Sequence, residues 1–207
     1  MIPQRTETTN RPTPKYGYVN IGGKTYKTVK IGKQEWLAEN LDLETELSYK
    51  NPRHPKYGRY YEWDALKEVQ AALPSGWRVP DNRDWKQLTD YVGGADGECT
   101  ALKSKEFGGT DEYGFSVLPA GFRYRDGSFD DSGHYADFWS SSEFSSSNAC
   151  YWTFYSDEPY AYDDHNAKNY GFSVRCLRDS NEPDEPNDES HQRIRPRIRL
   201  VKRMESI

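Results

Sequence analysis

The alternation of apolar and polar positions near the start of the chain predicts β-structure. A period-2 pattern occurs over residues 26–31 (YKTVKI), and Gly32-Lys33 then turns the chain into residues 34–37 (QEWL). Side chains of a strand point alternately to its two faces, so this pattern is typical of a half-buried strand. We therefore predict short strands, joined by a turn, within residues 26–37.

Two later segments have the spacing of amphipathic helices. In residues 62–73, apolar side chains recur every three or four positions, at Trp63, Leu66, Val69 and Leu73, and the sequence Pro-Ser-Gly follows. Residues 81–92 begin with an aspartate suited to a helix N-cap and end before two glycines, and the apolar positions are Trp85, Leu88 and Val92. We predict one helix in each segment.

After residue 108 the chain has short apolar segments separated by polar loops, without helical spacing. These segments, interpreted as strands, lie at residues 115–122, 138–139, 152–154 and 172–177. Two short helices flanked by strands make an α+β domain. We expect the strands near residues 26–37 and 172–178 to be neighbours in one sheet, with both helices packed on it.

The composition excludes several classes of protein. Aromatic residues account for 14% of the 207 positions, so the chain carries the large apolar side chains that a disordered protein lacks. No apolar run approaches the ~18 residues of a membrane-spanning helix, and residues 1–15 lack the apolar core of a secretion signal. The net charge of -5 argues against general nucleic-acid binding. We expect a folded protein with no membrane span and no nucleic-acid partner.

The charge pattern divides the chain. Residues 179–189 hold six acidic and no basic residues, whereas residues 191–207 hold six basic residues and one acidic residue. Opposed charge blocks are typical of a linker and an interaction tail. We assign a flexible leader to 1–14, a ligand-binding domain to 15–179, and an acidic linker with a basic tail to 180–207. An added edge strand, a docking peptide or a weak polyanion binder are alternatives to a solvated tail.

Six ordered blocks resemble the Fibrobacter succinogenes major paralogous domain. They are residues 30–41 (KIGKQEWLAENL), 57–63 (YGRYYEW), 74–80 (PSGWRVP), 114–121 (GFSVLPAG), 138–143 (FWSSSE) and 171–176 (GFSVRC). The resemblance implies a variant of the C-type-lectin-like fold, with two helices packed on short antiparallel strands and with long loops. It also implies a bacterial or phage surface-binding module that is not an enzyme.

A narrower resemblance concerns residues 138–176. FWSSSE, a polar stretch and GFSVRC in this order are similar to the variable segment of proteins diversified by retroelements, whose adenine-rich codons are copied with errors. Between residues 140 and 170, 18 of 31 positions are Ser, Tyr, Asp or Asn. Such residues also suit an antibody-like contact surface, because tyrosine gives rigid area and serine or asparagine gives adaptable hydrogen bonds. An ordinary polar loop is the alternative.

The polar stretch contains the residues that we expect to bind a protein or glycan ligand on a cell surface. They are Ser147, Asn148, Tyr151, Tyr155, Asp157, Tyr160, Tyr162, Asp163, His165, Asn166 and Asn169. We expect the nine from Tyr151 onward to be mostly exposed and grouped on one surface. Trp152, Phe154 and Phe172 should point inward and hold this surface. The resemblance implies a location on a cell surface or phage particle.

Two other functions stand beside this hypothesis. One is a structural or assembly module of a bacterial or phage surface. The other is an oxidase, because the fold resemblance extends to formylglycine-generating enzymes, which use an active-site cysteine pair. Cys99, Cys150 and Cys176 have no spacing typical of a redox or metal motif. Family members often carry a cysteine that would pair with Cys176, but Leu73 occupies its position here.

The cluster Asp163-Asp164-His165-Asn166 is interpreted as a solvated or ligand-facing loop and not as a metal site. Consecutive loop residues cannot all converge on one ion without ligands from elsewhere. We therefore predict no catalytic residue, no metal site and no cofactor.

Overall fold

The computed structural model describes residues 12–94 and 97–180. The strands are β1 (Lys15–Ile21), β2 (Lys24–Ile31), β3 (Gln34–Leu37), β4 (Ser48–Lys50), β5 (Arg59–Tyr61), β6 (Phe122–Arg123), β7 (Phe129–Asp130), β8 (Tyr135–Glu143), β9 (Asn148–Tyr155), β10 (Ala161–Ala167) and β11 (Leu177–Asp179). The helices are α1 (Leu66–Ala72) and α2 (Asn82–Gly93). This mixed, strand-rich arrangement agrees with the predicted α+β class. The acidic linker and basic tail, and most of the leader, lie outside the described residues.

An antiparallel sheet with the order β1-β2-β3-β11 joins the two ends of the described chain. Leu177 of β11 lies opposite Trp36 of β3, so the expected pairing of the two terminal segments is confirmed. The final strand is shorter than predicted, because the backbone of residues 172–176 bonds to different neighbours. Phe172 exchanges hydrogen bonds with Tyr61, whereas Ser173 donates to Asp137.

Both predicted helices form. Asp81 caps α2 by accepting from the backbone N–H of Asp84, whose side chain accepts in return from the N–H of Asp81. This reciprocal capping box satisfies N–H groups that would otherwise lack a partner at the helix start. The other segment is helical only from Leu66 to Ala72 and is preceded by a 3-10 turn at Trp63–Ala65.

The helices belong to different buried clusters on the two faces of the four-stranded sheet. Val69 of α1 lies in the cluster that contains Leu37. Trp85 of α2 lies in the cluster that contains Trp36, and the rings of Trp36 and Trp85 are 4.9 Å apart between centroids. Since Trp36 and Leu37 are successive strand residues, they point to opposite faces.

The predicted strand at 115–122 is mostly wrong. Only Phe122 and Arg123 form a strand there, paired with Phe129 and Asp130 in a short hairpin. Residues 115–121 run irregularly and pair only through isolated bridges, from Val117 to Lys103 and from Gly121 to Ala136. The Arg175 guanidinium is fully buried and donates to the carbonyls of Phe115 and Ser116.

A second sheet has the order β10-β9-β8 and carries the polar stretch that was predicted to be a loop. The prediction of a loop is wrong for residues 148–151 and 161–167, which form antiparallel strands, whereas the strand predicted at 152–154 is confirmed as part of β9. Within the described part of the chain, no helix has the length and apolar character needed to cross a membrane.

Candidate ligand-binding face

The strand geometry of β9 and β10 divides the predicted site residues between two faces of the second sheet. Tyr162 lies opposite Thr153, whereas Asp163 lies opposite Trp152. Directly paired residues share a face, and successive residues alternate. The prediction that all site residues group on one surface is therefore wrong, because most of them lie on strands, whose successive side chains point to opposite faces.

One face, which we call the tyrosine face, carries Tyr151 and Tyr155 of β9 and Tyr162 and Asn166 of β10. Its partners on β8 are Tyr135, which lies opposite Tyr155, and Asp137, which lies opposite Thr153. The other face is covered by α2: Trp152 is buried, and its ring lies 6.5 Å from that of Trp85.

Four tyrosines form a continuous row across the tyrosine face. Their ring centroids lie 5.0 Å apart for Tyr135 and Tyr155, 5.7 Å for Tyr155 and Tyr162, and 6.3 Å for Tyr160 and Tyr162, always edge to face. This is a favourable geometry for aromatic pairs. Tyr160 and Tyr162 keep 40% and 41% of their surface exposed, so the end of the row is open to solvent. We call these four residues the tyrosine row.

The predicted site residues differ in exposure. The exposed ones are Ser147, Asp157, Tyr160, Tyr162, Asp163, His165 and Asn169. Partly buried are Asn148, Tyr151, Tyr155 and Asn166. Trp152, Phe154 and Phe172 are buried, as expected. The Tyr151 side chain is held in place by the core and is not freely exposed, because its ring centroid lies 4.8 Å from that of Phe172.

An open groove of about 310 Å³ lies beside the tyrosine row. Rings and one buried carboxyl form most of its lining, which includes Tyr124, Tyr135, Asp137, Tyr151, Tyr155 and Tyr170. We call it the tyrosine groove. Asn166 from β10 contributes an amide to the same lining, and Phe172 contributes a buried ring.

Asp137 is the unusual group of this groove. Only 5% of its surface is exposed, and its Oδ1 has no hydrogen-bond partner in the described structure. Burial raises the pKa of Asp137 to about 7, despite a hydrogen bond with Thr153 that lowers it. A buried carboxyl with an unsatisfied oxygen is costly, and such groups cluster at functional sites.

A buried lysine anchors the loop between β9 and β10 through hydrogen bonds. Lys103 Nζ donates to the carbonyls of Tyr155, Ser156 and Glu158, over 2.9, 3.3 and 2.9 Å. In the same loop, Glu158 Oε2 accepts a hydrogen bond of 2.5 Å from the Tyr162 hydroxyl. This hydrogen bond raises the pKa of Tyr162 to about 12. These contacts fix the loop that carries Asp157 and Tyr160.

The opposite face of β10 carries Asp163 and His165, away from the tyrosine row. The His165 ring stacks on exposed Phe144 with centroids 3.7 Å apart, and its Nδ1 lies 3.4 Å from Asp164. Across residues 12–94 and 97–180, no group of three or more His, Cys, Asp or Glu side chains is arranged to hold a metal ion.

The three cysteines are free thiols in this structure. Cys99 and Cys176 are buried, and Cys150 is partly buried. Burial raises the pKa of the Cys99 thiol to about 11 and raises that of Cys176 further. Both thiols are thus held in the protonated, unreactive form at neutral pH.

The groove is also lined by residues that were not among the predicted site residues: Tyr124, Tyr135, Asp137 and Tyr170. A signal for two of them was present in residues 135–139 (YADFW), where period-2 alternation puts Tyr135, Asp137 and Trp139 on one face. A carboxyl at the centre of an otherwise aromatic strand is the kind of local inconsistency that marks a functional position.

Neither the curated proteins nor the solved structures contain a match to this chain. The family model of the Fibrobacter succinogenes major domain matches residues 29–178. Because this match covers most of the sequence and all six blocks that carry the resemblance, the chain belongs to the Fibrobacter succinogenes major domain family.

Proposed function

We propose that this protein is a non-enzymatic binding module that recognises a protein or glycan ligand on a cell surface through the tyrosine row. The observation that carries the proposal is the exposed end of the row, at Tyr160 and Tyr162. Clustered exposed aromatic side chains are characteristic of interaction sites, where tyrosine is enriched among the residues that dominate binding energy. The rigid sheet beneath them lowers the entropy lost on binding.

The proposal includes a C-type-lectin-like fold and a location on a cell surface or phage particle, both of which rest on the family resemblance. It includes no metal, no cofactor and no nucleic-acid partner. An oxidase would need a reactive cysteine pair, and the burial of Cys99 and Cys176 disfavours thiolate formation at both.

The proposal also includes a narrower hypothesis, that a retroelement diversifies the residues of this binding surface. It gains support from the exposed positions on β10 and on the loop before it, where a change of side chain disturbs little of the core. Sequencing of the neighbouring genes tests it. A reverse transcriptase gene and an adenine-rich near-copy of the codons for residues 140–176 are expected, and their absence would contradict diversification.

Binding of the labelled full chain to a glycan array and to a protein array tests the main proposal. Replacing Tyr155, Tyr160 and Tyr162 together by alanine should abolish any saturable binding that the unmodified chain gives. The matched control replaces Tyr18 and Phe144 by alanine in the same way. These two side chains are 73% and 59% exposed and lie outside the tyrosine row. This control should bind normally.

Two results would overturn the proposal. If the triple variant binds as tightly as the unmodified chain, the tyrosine row is not the contact surface. If the triple variant loses its cooperative thermal transition, those rings are part of the core, and a structural or assembly module becomes the better interpretation.

A further inference from the structure

The ionisable side chains that line the tyrosine groove are all acidic. Its lining contains two carboxyl groups, those of Asp131 and Asp137, and no lysine, arginine or histidine. Arg123, from the adjacent hairpin, turns away: its guanidinium stacks 3.6 Å from the centre of the Tyr49 ring and lies 3.6 Å from Glu62. No cation of the described protein therefore neutralises Asp137.

The groove also offers several aromatic faces and edges around this carboxyl. Tyr135 and Tyr155, which lie opposite each other, flank the Asp137–Thr153 pair at one end, and Tyr151 flanks it at the other. Aromatic rings attract cations through their quadrupole, by about 0.5–1 kcal/mol at exposed sites and about 2 kcal/mol or more at desolvated ones. A carboxylate among such rings adds a full opposite charge in a medium of low dielectric constant.

From this arrangement we infer that the tyrosine groove binds an organic cation, the ammonium or guanidinium end of a lysine or arginine side chain of a protein ligand. The inference rests on the proposed function and specifies its ligand. The groove volume of about 310 Å³ is at the lower end of the range for ligand pockets, about 300–1,000 Å³, and so suits a single side chain.

A neutral sugar fits this groove less well than a cation. It would cover Asp137 further and leave its charge without compensation, which a buried carboxylate cannot tolerate at low cost. A bound cation supplies the opposite charge that the described protein lacks at this point. Because Asp137 Oδ1 is itself covered, the cation lies above the rings and is attracted to the carboxylate through space.

Side-chain analogues provide the test, with the full chain observed by NMR of its tyrosine rings. The probes are Nα-acetyl-lysine methylamide, Nα-acetyl-arginine methylamide, the Nε-acetylated form of the lysine probe, and a chitin trisaccharide. Because burial raises the pKa of Asp137 to about 7, the titrations are run at pH 8.5, where its carboxyl is ionised. Salt is held constant so that screening does not differ between probes.

We expect saturable shifts of the Tyr151 and Tyr155 rings with the two cationic probes and none with the neutral ones. Asp137→Asn should weaken cation binding at least fivefold, while Asp163→Asn, which removes an exposed carboxyl from the opposite face of β10, should leave it unchanged. Tyr155→Leu should also weaken it, so that the test does not depend on one variant.

Three outcomes would overturn the inference: no saturable shift with either cation, equal shifts with the acetylated lysine probe, or binding of the trisaccharide alone. Equal affinity in Asp137→Asn and the unmodified chain would do the same. These outcomes are distinct from failure of the proposed function, which is decided by the triple tyrosine variant on the arrays. If that variant loses array binding and the cations still fail to bind, only the ligand class is wrong.

Discussion

Lys103 Nζ lies 2.9 Å from the carbonyl oxygen of Tyr155, at the point where β9 leaves the second sheet. The same ammonium reaches the carbonyls of Ser156 and Glu158, so one buried side chain binds three carbonyl groups at the end of β9 and in the loop before β10. This loop supports Tyr160 at the exposed end of the tyrosine row. A residue more than fifty positions earlier in the chain thus fixes the edge of the candidate binding face.

Replacing Lys103 by methionine should loosen this loop and lower the stability of the domain. The methionine keeps the volume but leaves the carbonyls of Tyr155 and Glu158 without their donor, which costs about 1–3 kcal/mol for each buried group left unpaired. Hydrogen exchange of residues 156–160 should accelerate, and the midpoint of thermal unfolding should fall by several degrees. Lys105→Met, at an exposed neighbouring position, serves as the control. Unchanged exchange in the Lys103 variant would contradict the anchoring role.

The buried carboxyl of Asp137 should make stability depend on pH. Its pKa is raised to about 7, above the value of about 4 for an aspartate in an unfolded chain. The native state therefore binds more protons than the unfolded state between these two values, and stability falls as the pH rises through this interval. Above pH 7 the native state is destabilised by the full amount, because the carboxyl is ionised in both the native and the unfolded state.

Asp137→Asn removes this charge while keeping a polar side chain beside Thr153. The variant should unfold at a higher temperature than the unmodified chain at pH 8, and the difference should disappear near pH 4. Thermal unfolding measured at both pH values checks this. Asp163→Asn, at an exposed position, should change neither value. A variant that is less stable than the unmodified chain at pH 8 would show that the carboxylate stabilises the native state.

The capping of α2 gives a prediction with a matched control. Asp84 accepts from the N–H of Asp81 and pairs with Arg78 through both carboxylate oxygens, at 2.6 and 3.2 Å, and its side chain is only 11% exposed. Asp84→Ala should therefore cost about 1–3 kcal/mol of unfolding free energy. Asp90→Ala removes only a solvent-exposed pair with Lys86, which is worth less than about 1 kcal/mol. Denaturant unfolding of both variants makes the comparison, and equal losses would be inconsistent with it.

Some of the fold was predictable because local sequence decides it. The helix α2 has its N-cap aspartate, its apolar spacing and its terminal glycine within one continuous segment, and it forms where expected. The turn between β2 and β3 is similar, since Gly32 adopts a positive φ of 57° that a glycine accepts without strain. The pairing of β3 with β11 followed from the apolar segments at both ends of the domain.

The candidate site was less predictable because its geometry depends on pairing with a distant strand. β10 contains residues 161–167 (AYDDHNA), which have no apolar alternation, and it lies at the edge of its sheet with one neighbour. Only the register with β9 decides that Tyr162 lies on the tyrosine face and Asp163 does not. The type of residue suggested binding, but the face on which each one lies follows from that register.

The end of the described chain gives the last prediction, a pair of truncations. Removing residues 181–207 should shift the midpoint of thermal unfolding by no more than a few degrees, because this stretch has opposed charge blocks and no period typical of a core. Removing residues 177–207 also deletes β11. It takes away the buried Leu177, which exchanges backbone hydrogen bonds with Arg78, and Asp179, which lies 2.8 Å from the Arg78 guanidinium.

The longer deletion should therefore be strongly destabilising, since loss of one buried leucine side chain alone costs about 2–5 kcal/mol. Leu177 also covers Trp36, so that its absence opens the cluster that holds α2. Circular dichroism during heating compares both proteins with the full chain. A large loss of stability from the shorter deletion would mean that the basic tail docks on the domain. A stable protein after the longer deletion would mean that the first sheet does not need its fourth strand.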